Sequence, residues 1–239
     1  MNLLRHLTLA LAVFGLVCTA SPAGADMKVD FDALGKKVGR FKITYYWVVF
    51  QDRFKGPPSV PLYNMKRKVL AVVTDEFARR VSMEGTGILR DGRVVNLHEK
   101  CAFAKYGWCF MLVDTGKAPF GWGSSEPLHP FRTLAVPNNV LPRGTVVYLP
   151  DFDGMPLPGA EGGFEYHDGC FVVEDTGWSL RGQHIDIFAL SEEYYQALQK
   201  RVDAAASHVD VFVDYPFCPD KAANLKDPES WARDLLKSD

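Results

Sequence analysis

Gly169-Cys170-Phe171-Val172-Val173-Glu174-Asp175-Thr176-Gly177-Trp178-Ser179-Leu180-Arg181-Gly182-Gln183-His184-Ile185-Asp186-Ile187-Phe188 reads as two strands joined by a short loop. Phe171 to Glu174 is bulky and β-branched, as strands prefer, and ends at Asp175. Glycines bound the loop that follows. In the second strand, side chains alternate between faces. Ile185 and Ile187 therefore share one face, and His184, Asp186 and Phe188 the other. The isoleucines take the core, so Asp186 is expected to face a groove or solvent with an aromatic beside it. Asp175 and Asp186 lie eleven residues apart across a tight loop, so the fold can bring them near each other. Two neighbouring carboxylates resist joint ionisation, which can leave one an acid at neutral pH.

Working outward, the same rules give strands at residues 40–50, 69–74, 134–136, 145–149 and 209–213, and a hairpin over 87–96 turning at Asp91-Gly92. Helices are expected over 75–83, where Phe77 and Val81 share a face, and over 192–205 behind a Ser191 cap. Asp227-Pro228 begins a short helix in the C-terminal tail. Residues 100–130 and 150–169 are rich in glycine and proline and read as loops, with Asp151-Phe152-Asp153-Gly154 a turn. Many short strands with a few dispersed helices indicate a mainly β chain closed as a barrel with peripheral helices.

Residues 1–25 have the three parts of a secretory signal: a basic start, an apolar run from Leu7 to Val17, and Ala23-Gly24-Ala25. That run is shorter than a membrane span. The expectation is a signal peptide over 1–25 and one domain over 26–239, with an insertion at about 51–127. The location is then periplasmic or secreted, without membrane insertion once the signal is removed. Beyond the leader, Cys101, Cys109, Cys170 and Cys218 form an even set, which favours disulfides in an exported protein. Three pairings are possible; the local one, Cys101–Cys109, leaves Cys170–Cys218 to tie the tail to the core. No C-x-x-C pair supports zinc, and the scattered histidines lack ligand spacing, so no metal or other cofactor is expected. With 27 basic and 29 acidic residues, a nucleic-acid partner is not expected. No G-x-S-x-G, P-loop or H-E-x-x-H motif is present.

Residues 169–188 resemble the signature of the three-aspartate (3D) domain, found in the C-terminal part of membrane-bound lytic murein transglycosylase A and related cell-wall proteins. Leu128 to Val136 and Leu141-Pro142-Arg143-Gly144-Thr145 resemble the family's preceding strand–turn–strand, and Tyr45-Tyr46 its first strand. The resemblance implies a double-psi β-barrel with a glycan groove across it. It also implies cleavage of the MurNAc–GlcNAc bond of peptidoglycan, or a related β-1,4-linked polysaccharide, to a 1,6-anhydro product. Asp186 matches the family's acid/base and Asp175 its carboxylate neighbour. Two further readings stay open: a non-catalytic, expansin-like polysaccharide-binding barrel, and a water-using β-1,4-glycan hydrolase.

The sequence departs from the family at two places. Pro137 stands where the first aspartate belongs, followed by Asn138, and Trp178 follows Asp-Thr-Gly where a second glycine is usual. Substrate-binding candidates are Trp178, His184, Glu84 beside Gly85-Thr86-Gly87, and Asn138, whose amide can hydrogen-bond a sugar but carries no charge.

Overall fold

The computed structural model describes residues 31–124, 126–158, 164–199 and 207–218; the expected signal, the helix beyond Gln199 and the C-terminal helix fall outside them. In chain order the strands are β1 (Lys36–Tyr46), β2 (Val49–Phe50), β3 (Val60–Tyr63), β4 (Val69–Val73), β5 (Thr86–Ile88), β6 (Val94–Lys100), β7 (Trp108–Leu112), β8 (Thr133–Ala135), β9 (Val146–Pro158), β10 (Phe164–Asp175), β11 (His184–Phe188) and β12 (His208–Val213). Two α-helices, α1 (Asp75–Glu84) and α2 (Glu192–Gln199), complete them.

Six strands close a barrel in the order β1-β11-β8-β10-β9-β12, with β12 returning to β1. The β1–β11 and β8–β10 pairs are parallel and the others antiparallel. Closure gives every barrel strand two neighbours. The alternation anticipated for β11 is realised. Ile185 and Ile187 are fully buried with Phe41, Leu134, Phe171 and Val211 in the barrel core. Each such side chain stabilises the fold by about 1.5–3 kcal/mol. Phe188, on the opposite face of β11, is buried as well, against the ring of Tyr46 at 5.3 Å.

Residues between β1 and β8 build a second body. It comprises the sheet β2-β5-β6-β7, the hairpin β3-β4 and α1. Thr74 caps α1 by accepting the Phe77 amide, and Asp75 and Glu76 sit in its first turn, where the helix dipole favours negative charge. Phe77, Ala78 and Val81 bury one face of α1 in a second apolar cluster with Val73, Val95 and Phe110. A Cβ on Gly87 would lie 2.8 Å from Val81 and 2.9 Å from Phe77, so glycine lets the helix lie directly on β5. α1 ends at Gly85, whose φ of 96° suits glycine.

The structure corrects the loop expected over 150–169. β9 and β10 form a long antiparallel ladder there, and Asp151 to Gly154 lies within β9 rather than in a turn. Register breaks between Tyr166 and Cys170 absorb residues that disfavour regular strands. Within 100–130, Trp108–Leu112 is a strand paired to β6. Two disulfides are formed. Cys101–Cys109 closes the β6–β7 turn, and Cys170–Cys218 joins β10 to the segment after β12, each with a Cα–Cα distance of 5.7 Å. Closing the second loop, 48 residues long, constrains the unfolded chain by about 4 kcal/mol.

Candidate active site

Strand register assembles the site. Thr44 of β1 pairs with Asp186 of β11, Asp186 pairs with Ala135 of β8, and Ala135 pairs with Asp175 of β10. Paired neighbours project from the same face of a sheet. Thr44, Asp186, Ala135 and Asp175 therefore form one row, with only a methyl group between the two carboxylates. A register shift in β10 makes this possible. Val173 pairs with Leu134, but Ala135 meets Asp175 rather than Glu174. The extra residue re-aims the strand, as bulges do. Glu174 is buried and accepts from the Thr133 hydroxyl at 2.5 Å, with His129 Nδ1 at 3.1 Å.

Asp186, Ala135 and Asp175 of this row line a cleft of about 170 Å³ whose opposite wall comes from the second body. Asp175, Asp186, Tyr46 and Trp178 line it from the barrel side; Glu84, Thr86, Asn96 and Leu97 line it from the other. Three carboxyl groups thus share one cleft, and the third comes from the end of α1. Pro137, just beyond β8, is buried.

Each carboxyl is perturbed. Burial pushes Asp186 up to about 6, assisted by the Asp175 charge and opposed by a hydrogen bond from the Thr44 hydroxyl. Its Oδ1 is buried and has no hydrogen-bond partner among the described residues. Thr44 donates its proton to Asp186, so its oxygen accepts from His184 Nε2 at 2.8 Å. Burial and nearby Lys42 keep His184 below its ordinary pKa, which favours this neutral donor. Burial also raises Asp175, against hydrogen bonds from the Thr176 amide at 2.7 Å, Ser124 Oγ at 3.0 Å and Tyr46 Oη at 3.1 Å. Glu84, its side chain 7% exposed, is pushed up to about 7 by burial and by the Asp186 charge, against the pull of Arg80 and the Trp47 amide.

A loop is held over the cleft by Asn96. Its Oδ1 accepts from the Trp122 amide at 2.7 Å and from Thr86 Oγ1 at 3.0 Å, and its Nδ2 donates to the Trp122 carbonyl at 3.1 Å. A Cβ on Gly123 would lie 2.9 Å from the Glu174 carbonyl and 3.1 Å from Asp175 Cβ, so this backbone runs against the aspartate.

Of the residues singled out in the sequence, Asp175, Asp186, Glu84 and Trp178 meet at the cleft. His184 does not line it and reaches Asp186 through Thr44. Asn138 stands apart from it. Pro137 is buried and starts a turn closed by Val140 N–H to the Pro137 carbonyl, which leaves Asn138 exposed. Sequence reading missed Thr44, Tyr46, Asn96 and Ser124. Thr44 and Tyr46 share a face of β1 by alternation, and Asn96 is one polar residue amid Val94, Val95 and Leu97. Among the described residues, no three of His, Cys, Asp and Glu are grouped as metal ligands.

Fold and site define a mainly β barrel with paired aspartates on a cleft beneath a second sheet. The family model of the 3D domain matches residues 132–201 of the chain. Among solved structures it is similar to Escherichia coli MltA with bound chitohexaose, at 17% identity over 73% of this chain and 71% of that one, with a TM-score of 0.51. It is also similar to a membrane-bound lytic murein transglycosylase of Agrobacterium tumefaciens, at 12% identity over 73% and 72% of the chains, TM-score 0.42. A third is the lytic transglycosylase LtgG of Burkholderia pseudomallei, at 14% identity over 74% and 72%, TM-score 0.38. The MltA likeness establishes a shared fold. Among curated proteins, none matches the chain.

Proposed function

We propose that the protein is an exported cell-wall enzyme that cleaves peptidoglycan glycan as a lytic transglycosylase, with Asp186 as its acid/base. The observation that carries this reading is the placement of Asp186. It is a largely buried carboxyl on a cleft, held by Thr44, with its pKa raised to about 6. In the proposed step, Asp186 gives its proton to the glycosidic oxygen as the bond from that oxygen to C1 of MurNAc breaks. The MurNAc 6-hydroxyl oxygen then bonds to C1 and passes its proton to the Asp186 carboxylate. The products are a 1,6-anhydro sugar and a free 4-hydroxyl, and no water is consumed. One carboxyl serves both transfers because its pKa lies near the working pH. Holding the 6-hydroxyl beside C1 makes the attack intramolecular. The chitohexaose bound to MltA supports a β-1,4-linked glycan as substrate, and the two disulfides support an oxidising compartment.

Glu84 favours a second reading. A second protonatable carboxyl facing Asp186 across the cleft is what a water-using glycosidase requires. One digest separates the two. The protein and its Asp186→Asn variant are incubated with purified sacculi, and soluble muropeptides are identified by mass spectrometry. Anhydro-muropeptides from the parent alone support the transglycosylase. Hydrated reducing ends turn the assignment to the hydrolase. Retention on sacculi with no release by either protein leaves the non-catalytic binding barrel.

A further inference from the structure

Trp178 departs from the family pattern, and its surroundings differ from those of a surface loop residue. The residue is 58% exposed at the cleft, yet its ring meets that of Trp108 at a centroid distance of 6.0 Å. Trp178 belongs to the barrel loop between β10 and β11, whereas Trp108 opens β7 in the second body. The pair therefore spans the two walls. Trp108 pairs with Lys100, three residues along β6 from cleft-lining Leu97. That is about 10 Å of strand, so the aromatic pair marks one end of the cleft.

Both rings are held before any ligand arrives. Trp108 directly precedes Cys109, whose disulfide to Cys101 closes a turn also tied by Cys101 N–H to the Gly107 carbonyl. Lys100 Nζ lies 5.5 Å from the centroid of the Trp108 ring. On the barrel side, Arg181 Nη1 donates to the carbonyls of Trp178 at 2.9 Å and Leu180 at 2.7 Å. A Cβ on Gly177 would clash with the buried Leu180, so the loop turns tightly just before the tryptophan. Preorganised aromatic faces lose little entropy on binding.

We infer that Trp108 and Trp178 form an aromatic subsite that stacks a pyranose ring of a β-1,4-linked glycan at one end of the cleft. The inference rests on the glycan-cleft reading above and adds where the chain is gripped. A pyranose presents a face of C–H bonds that packs against indole, while its hydroxyls stay hydrated at the open edge. The subsite works without bond cleavage, so it is separable from the chemistry.

The test measures binding in the Asp186→Asn background, with chitohexaose as probe, by titration calorimetry and tryptophan fluorescence. Trp178→Ala and Trp108→Ala are each expected to raise Kd about 3- to 10-fold. Trp178→Phe is expected to recover most of the affinity, and the double variant to lose little more than either single one. With Asp186 intact, Trp178→Ala is expected to raise KM on short oligosaccharides by a larger factor than it lowers kcat. Circular dichroism checks that the variants fold. Unchanged Kd in both alanine variants, no chitohexaose binding by the parent, or faster sacculus digestion by Trp178→Ala would each overturn the inference; the last would make the pair a barrier. Tryptophan-dependent binding by a protein that releases no muropeptide would instead sustain the subsite and remove the enzyme reading.

Discussion

The barrel brings Asp175 and Asp186 to the cleft by strand register, whereas the second body brings Glu84 by the last turn of a helix. On the barrel wall, paired strands and one bulge fix the row from Thr44 to Asp175. On the other wall, Glu84 depends on α1 packing over Gly87, and the cleft's roof depends on Asn96. The two aspartates are thus set by main-chain pairing, and Glu84 by the packing of a helix on a strand. On the proposed reading, reaction chemistry belongs to the barrel and its environment to the second body.

Substitutions can separate these roles. The largest effect is expected from Asp186→Asn, with product formation down by about 10²- to 10⁴-fold, the range for removing a general acid/base, and retained circular dichroism. Asp175→Asn is expected to lower turnover by about tenfold or more, since it removes the neighbouring charge that helps raise Asp186. Asn96→Ala leaves the Trp122 amide and carbonyl and the Thr86 hydroxyl without their partner. A cost of about 1–3 kcal/mol is expected, read as a fall of a few degrees in Tm. Equal losses of turnover from Asp186→Asn and Asn96→Ala in folded proteins would break the division between the walls.

The smallest effect is expected in stability against pH. Asp186 and Glu84 have folded-state pKa values raised to about 6 and about 7. As pH rises from the ordinary carboxylate range, the unfolded state ionises first and the folded state binds more protons. Stability contributed by these groups is therefore lost as pH climbs to about 7. Asp186→Asn and Glu84→Gln are expected to raise Tm by a few degrees at pH 8 and to change it little at pH 4. A Tm gain at pH 4 as large as at pH 8 would show that burial does not oppose ionisation of these groups.

The walls also differ in how far the sequence exposes them. The alternation Ile185-Asp186-Ile187 is enough to place Asp186 opposite the core, and Asp91-Gly92 marks the β5–β6 turn. Phe77 and Val81, four residues apart, locate α1. The bulge that presents Asp175 rather than Glu174 is invisible, because either carboxylate satisfies the pattern until register is known. The β9–β10 ladder is hidden by Pro156, Pro158 and Gly154, which read as loop residues. Asn138 follows β8 closely enough to read as a groove residue, but the turn at Pro137 takes it to solvent. Glu84 reads as a groove candidate beside Gly85-Thr86-Gly87, but only the packing of α1 on β5 shows which carboxyl it faces.

The central claim, that Asp186 is the group whose proton is transferred, is tested most directly by a pH–rate profile. Release of anhydro-product from sacculi is followed between about pH 4.5 and about pH 8.5 for the protein and for Asp186→Asn. The account expects the parent's rate to fall through an apparent pKa near 6 on the alkaline side, and the variant to release no product at any pH. Anhydro-product from Asp186→Asn with the same alkaline limb would contradict it, and would assign the proton to another group on the cleft.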